Sequence, residues 1–213
     1  MQSSNTAPSS SRKDLNKLAD DPELFESKYV HKVYNVIAEH FSNTRHRQWP
    51  KVAEYLQQLK DNTLVADIGC GNGKYMQEIH QANGNNNSTI NVNKRLTMIG
   101  MDMSEELCKV SKKKGHSVII ANNLTIPFQS NRFDAAISIA VIHHLSTFQR
   151  RLQAIKEIIR ILKINGTCCI YVWSFEEGGR RKGQKPTDTE AYIPWNMPKH
   201  YNKKRKLSSS SST

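Results

Sequence analysis

The 213-residue chain has only four cysteines, and no two stand in a Cys-x-x-Cys arrangement. Cys70 lies among glycines, Cys108 stands alone, and Cys168 and Cys169 are adjacent in an apolar run, where strand neighbours face opposite ways. This spacing excludes a zinc knot and a disulfide framework and implies reduced thiols, hence no metal. No apolar run approaches the ~20 residues of a membrane span, and no apolar signal core follows the N-terminus. A soluble, cytoplasmic protein with no membrane partner is expected. Hydrophobic residues are scarce too, at 37%. The deficit sits at the ends: 1–21 opens with a Ser-, Asn- and Gln-rich stretch, and 178–213 closes on one Leu, five Ser and a Thr. Neither end can bury enough apolar surface to offset the entropy of ordering. Acidic residues are outnumbered, 19 against 31 basic, for a net charge of +12. From Gly178 onward nine Lys/Arg face two acids, a distribution suited to a polyanionic partner or simply to a solvated tail. The run Lys203-Lys204-Arg205-Lys206 also reads as a nuclear import signal.

What the chain does contain is an apolar run, Thr63 to Ala66, that ends in Asp67-Ile68-Gly69-Cys70-Gly71-Asn72-Gly73. A strand closing on a carboxylate and three alternating glycines brings bare backbone against a ligand, because glycine permits φ > 0 and has no Cβ. A helix over 73–81 would point its first amides into the same crevice. Strands and helices then alternate. Strands are expected at 63–68, 96–102, 117–122, 134–140 and 167–173, with helices at 104–113 (Ser104 as N-cap) and 147–163. In the last helix Phe148, Leu152, Ile155, Ile159 and Leu162 have core spacing. Ahead of these, 22–41 reads as a helix with Phe25, Tyr29, Val33 and Ile37 on one side, and a second helix starts at Pro50. The strands are continuously apolar, so the fold is α/β with a mostly parallel sheet and helices on both faces. The domain spans 22–177, with an Asn-rich loop at 83–95.

A lone Gly-x-Gly is compatible with dinucleotide binding and with methyl transfer. The Gly-x-Gly-x-Gly spacing, with Asp67 two residues before the first glycine, repels phosphate but can receive an ammonium. Asp102, at the end of the second strand, can accept from both hydroxyls of a ribose. Asn122 ends the third strand at the adenine edge, with Pro127-Phe128 as an apolar wall. Together these residues describe S-adenosylmethionine (S-adenosyl-L-methionine).

The segments Asp67–Tyr75, Ile99–Ser104, Phe133–Leu145 (FDAAISIAVIHHL), Arg150-Arg151 and Ile170–Glu176 resemble the class I methyltransferases that act on carboxymethylated wobble uridine of tRNA. Tyr29–Tyr34, Phe41–Arg45 and Tyr192–Trp195 match the same family, so the resemblance covers roughly 22–198. It implies a Rossmann-like class I methyltransferase fold that esterifies the terminal carboxylate of the modified base. It also implies tRNA as substrate and a small zinc-binding activator subunit docked on the strand at 117–121. The family sheet has seven strands, and the last two have no counterpart before the chain turns polar at Gly178. A carboxylate is already ionised at neutral pH and needs orienting rather than deprotonating. Arg45 is the first candidate for that task, Arg150 or Arg151 the second, with His143 beside the methyl and Ala140 lining the cofactor. His144 is read as a packed structural histidine. Trp49 and Trp195 either stack on bases or cover the sheet. The competing readings are a small-molecule methyltransferase and a diverged, inactive cofactor-binding paralogue with a regulatory role.

Overall fold

In the computed structural model, residues 21–44, 48–76, 95–173 and 195 are described. Five strands form one parallel sheet in the order β3-β2-β1-β4-β5. They are β1 (Leu64–Ile68), β2 (Thr97–Asp102), β3 (Val118–Ile120), β4 (Phe133–Ile139) and β5 (Leu162–Tyr171). Side-chain alternation sorts the core into two layers. Val65, Met98, Ala135 and Ile137 face helix α3 (Pro50–Gln58), through Val52 and Leu56, and Cys108 of α4 (Glu105–Lys113). Ala66, Ile68, Met101 and Ala136 face α5 (Phe148–Ile161) through Ala154, Ile158 and Ile161. Helices therefore cover both faces, as the continuous apolar strands require. Among the described residues no helix is long and apolar enough to cross a membrane.

Two helices differ from their sequence reading. The first is a single rod of three parts: α1 (Pro22–Glu26), a π turn (Ser27–His31) and α2 (Lys32–Thr44). The extra residue of the π turn rotates everything after it, so of the expected stripe only Ile37 is buried, beside Ala38. Helix α5 is also rotated. Phe148 (65% exposed), Leu152 and Ile159 point outward, while Ala154, Ile158 and Ile161 meet the sheet. Both stripes have helical spacing, and polar anchors choose between them. Arg160 donates to the Ile126 and Phe128 carbonyls at 2.8 Å, and Arg151 donates to the Leu145 carbonyl at 2.8 Å.

The last strand begins earlier than Gly166. Leu162 pairs with Phe133 and Thr167 with Ala135, so β5 advances three residues further than β4 between two pairings. The excess leaves the sheet as a bulge through Asn165, at φ 64°. β5 is a sheet edge among the described residues, with Cys168 exposed on it; Trp49 covers part of this edge by packing on Tyr171, ring centroids 4.8 Å apart. The expected tails apart from Asp21 and Trp195, the 83–95 loop apart from Arg95, and the 77–81 part of the glycine-loop helix lie outside the described residues.

Candidate functional site

The carboxyl ends of β1, β2 and β4 meet at one edge, where ligands bind in open parallel sheets. The glycine loop folds back on β2: the amides of Gly69 and Cys70 donate to the Met101 carbonyl at 2.8 and 2.9 Å. Gly69, Gly71 and Gly73 all have positive φ, of 83°, 55° and 71°. Their surroundings differ. A Cβ on Gly69 would lie 2.3 Å from Val141 Cγ2, and one on Gly73 2.4 Å from Ser111 Oγ. These two glycines are bare because the protein packs against them, not because a ligand does. Of the three, only Gly71 is uncrowded: a Cβ there would make ordinary contact with Phe41 at 3.8 Å and Leu107 at 4.0 Å.

Beneath the loop, Asp67 is fully buried and its Oδ2 has no hydrogen-bond partner. Burial pushes its carboxyl up to about 8, with the Asp102 charge adding to the effect. Asp102 is raised by burial as well, but amides oppose it: its Oδ2 accepts from Gly71 N and its Oδ1 from Ser104 N, each at 2.8 Å. Helix α2 roofs this edge. Asn35 Oδ1 accepts from Ser104 Oγ at 2.7 Å, and Ser42 Oγ accepts from the Asn72 amide at 3.1 Å. Trp195 donates to His40 Nδ1 at 2.9 Å and leans on Phe41, so it covers α2.

After β4 the chain reverses at Ala140, whose φ is 60°, into a 3₁₀ turn, Ile142–His144. His144 is held by Tyr34, with Oη 3.0 Å from Nε2, and burial beside His143 and His31 pushes it down to about 3. It is a structural, neutral imidazole. His143 stacks between His144 and Trp173, is lowered by burial, and has neither ring nitrogen hydrogen-bonded.

Four of the expected site residues have partners of their own in the structure. Arg150 cannot serve as a free cation: its fork grips the buried Glu26, Nε to Oε1 at 2.8 Å and Nη2 to Oε2 at 2.6 Å. Arg151 gives one of its five N–H donors to the Leu145 carbonyl, a bond that does not neutralise its charge. Asn122 Oδ1 accepts from the Leu124 amide at 2.9 Å, closing a turn and leaving one lone pair for an adenine amine. Phe128 packs on Phe133 at the amino end of β4, away from the ribose-facing edge, and so forms no adenine wall. Arg45 lies outside the described residues.

A family model described as a methyltransferase domain matches residues 66–170. The tRNA (carboxymethyluridine(34)-5-O)-methyltransferase of Schizosaccharomyces pombe is 40% identical over 178 residues, covering 83% of this chain and 72% of the yeast protein. The chain belongs to this methyltransferase family. The like-named Xenopus tropicalis protein is 44% identical over 75% of the chain, but the chain spans only 23% of that relative's length. A Mus musculus "probable tRNA methyltransferase 9B" is 39% identical, with 83% and 36% covered. Among solved structures, the [4+2]-cyclase SpnF shares the fold with TM-score 0.52 and 18% identity over 66% of this chain and 58% of that one. A chain in the complex of the Haloferax volcanii Trm112 methyltransferase activator with a methyltransferase gives 0.50 and 19% over 63% and 58%.

The family's cofactor is S-adenosyl-L-methionine, and the residues present fit it. The unpartnered Asp67 Oδ2 suits an ammonium, Gly71 leaves room for close approach, and each Asp102 oxygen keeps a second lone pair for a ribose hydroxyl. Glu26, Tyr34, Asn35 and Ser42 are the site-side residues that sequence reasoning missed. Only the polar face of an otherwise apolar helix hinted at them.

Proposed function

We propose that this chain binds S-adenosyl-L-methionine and methylates the terminal carboxylate of 5-carboxymethyluridine at the tRNA wobble position, giving the methyl ester. The observation that carries this reading is the unpartnered, buried Asp67 carboxyl beneath the open Gly71, in a chain 40% identical to an enzyme named for that reaction. The bound cofactor supplies an electrophilic methyl on a sulfonium.

Everything else falls to the protein's own residues. Asp67 and Asp102 fix the two ends of the cofactor's polar groups. The roof formed by α2 excludes water and strengthens both contacts. The nucleophilic carboxylate arrives ionised, its ordinary pKa lying near ~4, so no strong base is needed. A cation must hold it without quenching it; Arg45 is the first candidate and Arg151 the second, now that Arg150 is paired with Glu26. His143, lowered by burial, has both ring nitrogens buried and unpartnered among the described residues, so its hydrogen bond to the uracil or to the acid requires the ring to turn outward.

A small zinc-binding activator would dock along β3. This three-residue strand pairs only with β2 among the described residues, and Ile120 on it is 52% exposed. Strand addition there would take its bonds from the main chain. The decisive assay incubates the protein, with and without activator, with carboxymethyl-bearing tRNA and methyl-labelled cofactor. Base-labile label on the wobble nucleotide supports the reading. Cofactor binding without transfer points to the regulatory paralogue, and transfer to small acids alone points to a different substrate class.

A further inference from the structure

The rod from Pro22 to Thr44 touches the loop after β4 at two places. Glu26, 1% exposed, accepts from Ser146 N at 2.8 Å, from Ser146 Oγ at 2.9 Å and from the Arg150 fork. Tyr34 meets His144 through its hydroxyl, and the two rings also pack edge-on, centroids 5.3 Å apart. Immediately before these contact residues, the loop carries His143.

Glu26 and Tyr34 are eight residues apart. In an uninterrupted α-helix, at ~100° per residue, eight steps would leave them about 80° apart and only one could face the loop. The π turn Ser27–His31 lies wholly between them and absorbs one residue. The pair is then phased like residues seven apart, within about 20° of one face. A buried carboxylate is a costly way merely to attach a helix, since an apolar contact does so without desolvating a charge. What the carboxylate adds is direction: a forked ion pair and two Ser146 bonds fix the loop in one orientation.

We propose that the π turn is a phasing device that sets Glu26 and Tyr34 on one face of the rod, making both of them positioning residues that hold the His143 loop at the cofactor edge. The role of His143 rests on the function proposed above; the clamp itself does not.

The experiment uses two full-chain variants of opposite expected effect. Deleting the exposed Lys28 turns the π turn into α-helix and leaves Glu26 and Tyr34 in phase. Inserting one alanine after Lys28 throws them a further ~100° apart. Hydrogen exchange should show the Ser146 amide at least about tenfold less protected in the insertion variant, and within about threefold of the parent in the deletion variant. In the tRNA assay the insertion should lower kcat about tenfold with KM and cofactor affinity within twofold, whereas the deletion should leave all three near the parent's. Glu26→Gln, which keeps an oxygen toward Ser146, should rescue more protection than Glu26→Ala. If the insertion leaves Ser146 protected, or if both length variants lose protection alike, the phasing idea is refuted. If the parent protein gives no calorimetric heat with cofactor, the proposed function fails while the exchange comparison still decides the clamp.

Discussion

Replacing Asp67 with asparagine should make the cofactor-free protein more stable and nearly abolish cofactor binding. The carboxyl is raised to about 8, first by burial and then by Asp102. An unfolded aspartate ionises near ~3.9. Below that pH both states hold the proton and the group costs the fold nothing. As pH rises the unfolded chain ionises first, so stability falls by about 1.4 kcal/mol per pH unit and levels off near pH 8. The ceiling of this penalty is about 5 kcal/mol, reached at alkaline pH. Asparagine removes it but puts an N–H where Oδ2 had no partner, at a cost of about 1–3 kcal/mol. The net gain is about 2–4 kcal/mol near pH 8, or about 5–15 °C in Tm for a domain of this size. Near pH 4 the variant should be no better than the parent, or slightly worse. Thermal melts of both proteins without cofactor, from pH 4.5 to 8.5, measure the difference. Calorimetry with S-adenosyl-L-methionine should show binding weakened at least about 100-fold, the value of a lost charged contact. A stability difference that does not change with pH, or a variant that binds cofactor within threefold of the parent, refutes this account of Asp67.

Gly69→Ala adds a methyl 2.3 Å from Val141 and should cost about 1–3 kcal/mol by overpacking on top of the strain of positive φ, read from urea unfolding. Gly71→Ala makes only ordinary contact with Phe41 at 3.8 Å and Leu107 at 4.0 Å and should cost the fold about 1–2 kcal/mol; pairing Gly69→Ala with Val141→Ala should recover most of the Gly69 overpacking loss but not its φ strain. Arg150→Ala strands a buried Glu26 and should destabilise by about 3–5 kcal/mol, whereas Arg151→Ala should cost far less. Burial works to raise Glu26, but Arg150 and Ser146 overcome it and hold it below its usual value, so their contribution is present at neutral pH and fades as acid protonates the group. Arg45→Ala should lower kcat with carboxymethylated tRNA at least about 100-fold with cofactor affinity unchanged; equal turnover would remove Arg45 from the mechanism. Asn122→Asp keeps the bond to the Leu124 amide and frees a second acceptor, so cofactor affinity should rise severalfold by calorimetry.

The sheet was legible because each strand is a continuous apolar run punctuated by glycine or a helix cap. Ser104 and Thr147 accept from Leu107 N and Arg150 N, the bonds expected of N-caps. Asp67, the glycines and Asp102 were legible as a group because their chemistry is carried by adjacent residues at the end of one strand and by the end of the next. Helix rotation was not. In α5 two stripes satisfy the same period, and the choice rests largely on Arg160 bonding to carbonyls more than 30 residues away in sequence. The π turn was hidden for a similar reason: Ser27–His31 is ordinary helix sequence, and the extra residue is kept by contacts to Ser146 and Arg150. Arg150 looked available because its partner, Glu26, is 124 positions distant and sat on a helix read as apolar.

The alanine at position 140 has a wider consequence. Holding an L-residue in the left-handed region costs about 1–2 kcal/mol, which a glycine would not incur. That energy is released whenever the turn unwinds, so the segment leading to His143 opens several times more often than an unstrained one. The turn before His143 is thereby biased toward opening, and the Glu26 and Tyr34 contacts are what hold it shut.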